Sequence, residues 1–212
     1  MKKEIKKQTK LRDLVFPNKR INFFVGTILM FGVLSGAIFL MMTNEVDKNS
    51  VIEQIKNFVI NINKDNIDVG LALRNSLIIN YLFVIFIWGL GLSMIGVIFS
   101  LFLTYIKGFL VGFSVASIII SYGYKGFLMA LIYVFPSQVF NVLVVIMLSI
   151  YSVMFASNLF KIIVSKKNTN NRLMFKKYVV ILMFCIILSF ISSLAEVYLF
   201  PTILKLISTI YI

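Results

Sequence analysis

The sequence predicts an all-α, polytopic membrane protein with about five transmembrane helices and one re-entrant or interfacial helical segment. The composition is 60% hydrophobic and only 14% charged, and several long stretches carry no charge at all. A water-soluble domain carries about 25% charged residues, whereas uncharged apolar stretches of about 18 residues or more are typical of helices that cross a bilayer. A water-soluble enzyme is therefore excluded.

The charge balance is strongly basic, with 21 Lys and Arg against 8 Asp and Glu, a net charge of +13. In a membrane protein such an excess usually marks loops that face anionic cytoplasmic lipid. The chain shows no recognition pattern for DNA or RNA, so we expect no nucleic-acid partner. Because it has no histidine and one cysteine, Cys185, we also expect no metal, no cofactor and no internal disulfide.

The first span follows directly from the positions of the charges. Residues 1–20 form a basic tail, and residues 21–42 carry no charge. An ionisable group at the bilayer centre costs roughly 2.5 to 3.5 kcal/mol, so a charge-free run of this length inserts. It is longer than the roughly 7 to 15 apolar residues of a secretory signal, which indicates an uncleaved transmembrane helix with the basic tail in the cytoplasm.

The segment 43–74 contains five of the eight acidic residues, and the positive-inside rule places it outside the cytoplasm. Its apolar residues recur at helical spacing, which predicts a short amphipathic helix. This helix either lies on the outer membrane surface or offers its apolar stripe to a partner. The candidate docking residues are Ile52, Ile55, Phe58 and Ile62.

The next uncharged run, 75–106, would reach about 48 Å as one straight helix, against a hydrocarbon core of about 30 Å. We therefore predict one span with a bent extension. Lys107 is then expected at the inner interface and Lys125 at the outer one, which makes 108–124 the third span.

Pro136 interrupts a further uncharged run, removes an amide donor and restricts the residue before it. We predict a chain break there, with 126–137 as a re-entrant or interfacial segment and 138–160 as the fourth span.

The last part of the chain contains a basic loop, a final span and a short tail. Residues 161–177 carry six basic and no acidic residues, which predicts a cytoplasmic loop. A fifth span over 178–200 and an extracytoplasmic tail over 201–212 complete a topology with the N-terminus inside and the C-terminus outside.

The spans offer little material for catalysis. Glu196 is the only acidic residue within a predicted span, and its position about 27 Å along the helix from Tyr178 places it near the outer headgroups. We interpret it as structural and assign it no function. No Ser-His pair, paired aspartates, metal cluster or nucleotide-binding loop occurs, so we predict no catalytic residue and no enzyme.

Two GxxxG motifs, Gly32 to Gly36 and Gly108 to Gly112, allow close approach of another helix backbone. Packing within the protein is the preferred interpretation, and self-association into a homo-oligomer is the alternative. Gly126 and Pro136 complete the set of candidate packing residues.

The order of these features is itself informative. The basic tail is followed by Phe23-Phe24-Val25-Gly26, the first GxxxG motif, the outer segment, Lys107-Gly108-Phe109-Leu110-Val111-Gly112-Phe113, Gly123-Tyr124-Lys125-Gly126 and Pro136. This ordered combination resembles the stage II sporulation protein M family of endospore-forming bacteria, over nearly the whole chain.

The resemblance implies a non-enzymatic scaffold of the engulfment machinery in the bacterial cell membrane, located at the septum between mother cell and forespore. Its implied partners are two membrane-associated peptidoglycan hydrolases, one that cleaves glycan strands and one that cleaves stem peptides. The alternative is a permease-like transporter component that works with a cytoplasmic ATPase and in which the overlong, glycine-broken runs line a path.

Overall fold

A computed structural model describes residues 18–64, 68–165, 171–199, 201–203 and 205. Within these residues the chain is helical and contains no strand, which confirms the predicted fold class. The helices are α1 (Lys19–Met42), α2 (Glu45–Asn63), α3 (Val69–Gly91), α4 (Gly96–Met129), α5 (Phe135–Ser165) and α6 (Asn171–Leu194), with π-helical segments at Ala130–Val134 and Ala195–Leu199.

Within this described part of the chain, five helices are long and apolar enough to cross a membrane. They are Lys19–Met42, Val69–Gly91, Gly96–Met129, Gln138–Ile163 and Met174–Ile203. The predicted number of spans is confirmed, and α2 is the helix that does not qualify.

The first two spans begin at polar caps. The Asn18 side chain accepts a hydrogen bond from the Arg20 amide at 3.1 Å, and the Asp68 side chain accepts one from the Leu71 amide at 3.0 Å. Such caps satisfy amides that the first helical turn leaves free. Because Asp68 caps α3, this helix begins at Val69 and not at residue 75 as expected.

The bounds predicted for the second span, 75–106 with a bent extension, and for the third, 108–124, differ from those of the structure. Helix α3 ends at Gly91 and α4 begins at Gly96. A Cβ atom at Gly96 would collide with the Leu90 carbonyl, so glycine permits this tight turn. The turn carries no charge, and Lys107 consequently lies inside α4, about 16 Å along the axis from Gly96.

The chain turns back at Gly123, next to the predicted end of the third span at residue 124, whereas the break expected at Pro136 is absent, because the helix Phe135–Ser165 runs through this residue. Gly123 has φ 59° and ψ −132° inside α4, a conformation that is easy only for glycine. After it the chain folds back, so that a Cβ atom at Gly126 would collide with the Ile118 backbone. Pro136 lies at the junction of a π-helical segment and α5, where the hydrogen-bond ladder changes register and a residue without an amide hydrogen is tolerated.

The remaining predicted boundaries also shift. Helix α5 continues to Ser165 and α6 starts at Asn171, so the basic segment between them is shorter than the expected 161–177. The basic tail 1–20 and the end segment 201–212 lie mostly outside the described residues.

The main core joins α3, α5 and α6. It contains Ile87 of α3, Leu148 of α5 and both Tyr178 and Cys185 of α6, all at most 1% exposed. The Tyr178 hydroxyl donates to the Trp88 carbonyl at 2.9 Å, and Cys185 is a free, buried cysteine of this core. This core fixes α3 and α6 relative to each other and thereby positions the polar groups described next.

Candidate functional site

The GxxxG motifs of α1 and α4 pack against each other. A Cβ atom added at Gly32 or Gly36 would collide with the backbone of α4, and one added at Gly108 or Gly112 would collide with the backbone of α1. Small residues allow helix backbones to approach this closely in a membrane. The faces of α1 and α4 that carry the four glycines therefore pack against each other within one chain. A homo-oligomer would need a different surface.

The apolar stripe of α2 also packs on its own chain. Val59 and Ile62 are 5% and 3% exposed, and Ile55 is partly buried beside them. Their neighbours belong to α4 and the π-helical segment after it: Ile118, Met129, Ala130 and Val134. Helix α2 thus packs against the folded-back segment. Of the predicted docking residues, Ile52 is half-buried and Phe58, at 41% exposed, is the most accessible.

Glu196 faces the interior of the bundle. It lies in the π-helical segment that ends α6 and accepts a hydrogen bond from the Ser76 hydroxyl of α3 at 2.8 Å. Asn80 donates to Ser76 at 3.3 Å and to Ser193 at 2.9 Å. The side chain is half-buried in a network that joins α3 to α6, as expected for a structural residue, and its position near the outer headgroups stays a prediction.

Lys107 is the functional candidate that sequence reasoning missed. Its side chain is 6% exposed, and the ammonium lies 5.4 Å from the centre of the Phe83 ring. A cation over an aromatic face is stabilised by the ring quadrupole. Among the described residues, no direct ion pair within 4 Å joins Lys107 to Glu196.

Lys107 and Glu196 line one cavity of about 170 Å³, here called the polar chamber. Its polar lining residues are Ser76, Asn80, Lys107, Ser114, Gln138 and Glu196. Three helices, α3, α4 and α5, and the π-helical segment after α6 meet around it. An ionisable residue within a membrane-spanning segment is by default a functional candidate, and here two of opposite charge share one chamber.

A second cavity of about 470 Å³, the apolar chamber, lies between α2 and the end of α4. Most of its lining side chains are apolar, among them Ile55, Phe58, Val59, Phe113, Ile118 and Met129. Ser114, Gln138 and Glu196 line both chambers. The two cavities therefore adjoin, with a polar end inside the bundle and an apolar end beneath α2.

A sequence signal for Lys107 did exist. Ser100, Thr104, Lys107 and Ser114 follow one another at intervals of four, three and seven residues, which places them on one helix face. Thr104 hydrogen-bonds Ser149 of α5 at 2.5 Å in the buried interior. The stripe predicts a polar interior face on α4, whereas a charge in isolation was taken to mark a membrane boundary.

The lining of the two chambers shows which chemical groups are available there. In the polar chamber the Ser76 hydroxyl donates to the Glu196 carboxylate. Among the described residues, no three His, Cys, Asp or Glu side chains lie together as a metal ion would require. What the chambers offer is one cation, one carboxylate, several hydrogen-bonding groups and an adjoining apolar space.

The fold is thus that of a multi-pass, all-α membrane protein with a polar chamber inside its bundle. Residues 23–201 match the family model described as Stage II sporulation protein M, and the chain belongs to this family. It is accordingly a sporulation-related membrane protein, from a family that is not a known enzyme family. No curated protein and no solved structure matched the chain.

Proposed function

We propose that this protein is a non-enzymatic membrane scaffold of the engulfment machinery that recruits peptidoglycan hydrolases to the sporulation septum. One hydrolase would cleave glycan strands and the other stem peptides. Membership of the Stage II sporulation protein M family over residues 23–201 is the observation that carries the proposal. The N-terminus would lie in the cytoplasm and α2 on the opposite side, where the cell wall is.

The position of α2 supports this role. Its buried stripe holds it on the folded-back segment, which leaves its other face free for a partner. Val46 is 77% exposed on this face, and Glu53, about two helical turns further along the same face, is also exposed. A rigid, polar outer helix with a few accessible apolar side chains is suited to docking a protein, because little ordering entropy is lost on binding.

The test is crosslinking and affinity purification of the tagged protein from sporulating cells, with partners identified by mass spectrometry. A tagged unrelated membrane protein is the control. Enrichment of septal wall hydrolases over the control is the expected result. Their absence, together with recovery of a cytoplasmic ATPase, would refute the scaffold proposal for this chain.

A transporter component is the second candidate function, and one structural observation favours it. Lys107 and Glu196 line a chamber inside the bundle next to π-helical segments and a folded-back helix, features that occur at substrate sites in transporters. On this proposal the partner contacts the cytoplasmic side, near Lys161 at the end of α5. The two proposals therefore predict partners on opposite sides of the membrane.

A further inference from the structure

The polar chamber has a definite electrostatic requirement. Lys107 and Glu196 are the charged side chains that line it, one of each sign. A buried charge in a low-dielectric region is tolerated only when it is compensated. A guest with a net charge would leave one charge uncompensated, whereas a guest that carries both an ammonium and an acidic group leaves the chamber neutral.

The space around these charges is large enough for such a headgroup. The polar chamber measures about 170 Å³ and adjoins the apolar chamber of about 470 Å³. Ile79 and Leu110 line the polar chamber and are 52% and 44% exposed, so it reaches the lipid-facing surface between α3 and α4. A membrane-embedded ligand can therefore enter from the side.

Further polar groups lie one helical turn from the chamber. Asn141 on α5 and Ser192 on α6 are buried, and the Asn141 amide nitrogen and Ser192 hydroxyl have no hydrogen-bond partner within the described residues. Buried polar atoms in folded proteins are normally paired with protein or bound molecules. The surroundings of the chamber thus provide more hydrogen-bonding capacity than the protein itself uses.

We propose that the two chambers bind an amphiphile with a zwitterionic headgroup. Lys107 faces its anionic group, Glu196 faces its ammonium, and the apolar chain lies in the apolar chamber beneath α2. An ethanolamine phospholipid has this chemistry, because its headgroup carries a phosphate and an ammonium that are separated by an ethylene unit. The proposal is independent of the scaffold function.

The test uses the purified full-length protein in mild detergent with dioleoyl phosphatidylethanolamine as the probe and native mass spectrometry as the readout. Dioleoyl phosphatidylglycerol, which is anionic, and soluble phosphoethanolamine, which has no chain, are the comparison ligands. The variants are Lys107→Met and Glu196→Gln. Their matched controls are Lys125→Met and Glu53→Gln, which change the same residue types at exposed positions.

The expected result is preferential retention of phosphatidylethanolamine, reduced about tenfold or more in both chamber variants and unchanged in both controls. Equal retention of phosphatidylglycerol would overturn the requirement for a zwitterion. Equal binding of phosphoethanolamine would overturn the role of the apolar chamber. Retention that is unaffected by Lys107→Met and Glu196→Gln would overturn the assigned site, since circular dichroism of the same samples reports whether the variants are folded.

Discussion

The close packing of α1 on α4 predicts how a substitution of one of its glycines changes the stability of the protein. A Cβ atom at Gly112 would lie 2.7 Å from the carbonyl carbon of Val33 and 2.8 Å from its Cα. Carbon atoms normally pack at about 3.5 to 4.0 Å, so α1 must move by about 1 Å. Overpacking of this kind costs about 1 to 3 kcal/mol, and we expect Gly112→Ala to destabilise the protein by that amount.

Gly26→Ala is the matched control, because a Cβ atom there meets nothing within 4 Å. Alanine is a better helix former than glycine by up to about 1 kcal/mol in water, so this variant is expected to be neutral or more stable. Unfolding of the purified proteins by SDS can be followed through Trp88, the one tryptophan, which stacks on Tyr178 with ring centres 5.7 Å apart. Equal effects of the two substitutions would refute the close packing.

Three further predictions concern the packing of α2 on the folded-back segment, the hydrogen bond between Ser76 and Glu196, and the main core. Ile62→Asn, at a 3% exposed position, should lower stability by about 2 to 4 kcal/mol, whereas Ile60→Asn, at 46%, should have little effect in the same SDS unfolding assay. Ser76→Ala removes the hydroxyl that donates to Glu196 and should cost about 1 to 3 kcal/mol; an unchanged midpoint would count against that hydrogen bond. Cys185 is 0% exposed and should react with a membrane-permeant maleimide only after unfolding, so rapid labelling of the native protein would contradict the core.

Much of the fold could be predicted because the bilayer imposes a simple rule on single segments. Charge-free runs of sufficient length predict spans, and this was sufficient for the fold class and for the number of spans. The same rule failed at the turn between Gly91 and Gly96, which carries no charge. It failed again at Lys107, a charge inside a helix.

Lys107 was predicted at a membrane boundary because the groups that surround its charge are distant from it in the sequence. The carboxylate of Glu196 and the ring of Phe83 come from other helices, and one sequence alone does not indicate that they meet. The stripe of polar residues on α4 could have signalled an interior face. Its partners become visible only when α3, α5 and α6 are packed around it.

The positive φ at Gly123 and the packing of α2 on its own chain were not predicted, for a similar reason. A glycine can adopt positive φ anywhere, so its presence does not say where the chain turns back. The apolar stripe of α2 was expected on the outer membrane surface or against a partner, and it packs instead on its own chain. That the surface is its own folded-back segment depends on tertiary packing, which helical spacing does not encode.

The most direct test of the scaffold proposal is site-specific photo-crosslinking in sporulating cells. A photoreactive amino acid is introduced at the exposed position Glu53 on α2, or at the exposed position Lys161 at the end of α5, and crosslinked partners are identified by mass spectrometry. The scaffold proposal predicts peptidoglycan hydrolases at position 53 and none at position 161. A cytoplasmic ATPase at position 161, with no hydrolase at position 53, would contradict the proposal and favour the transporter component.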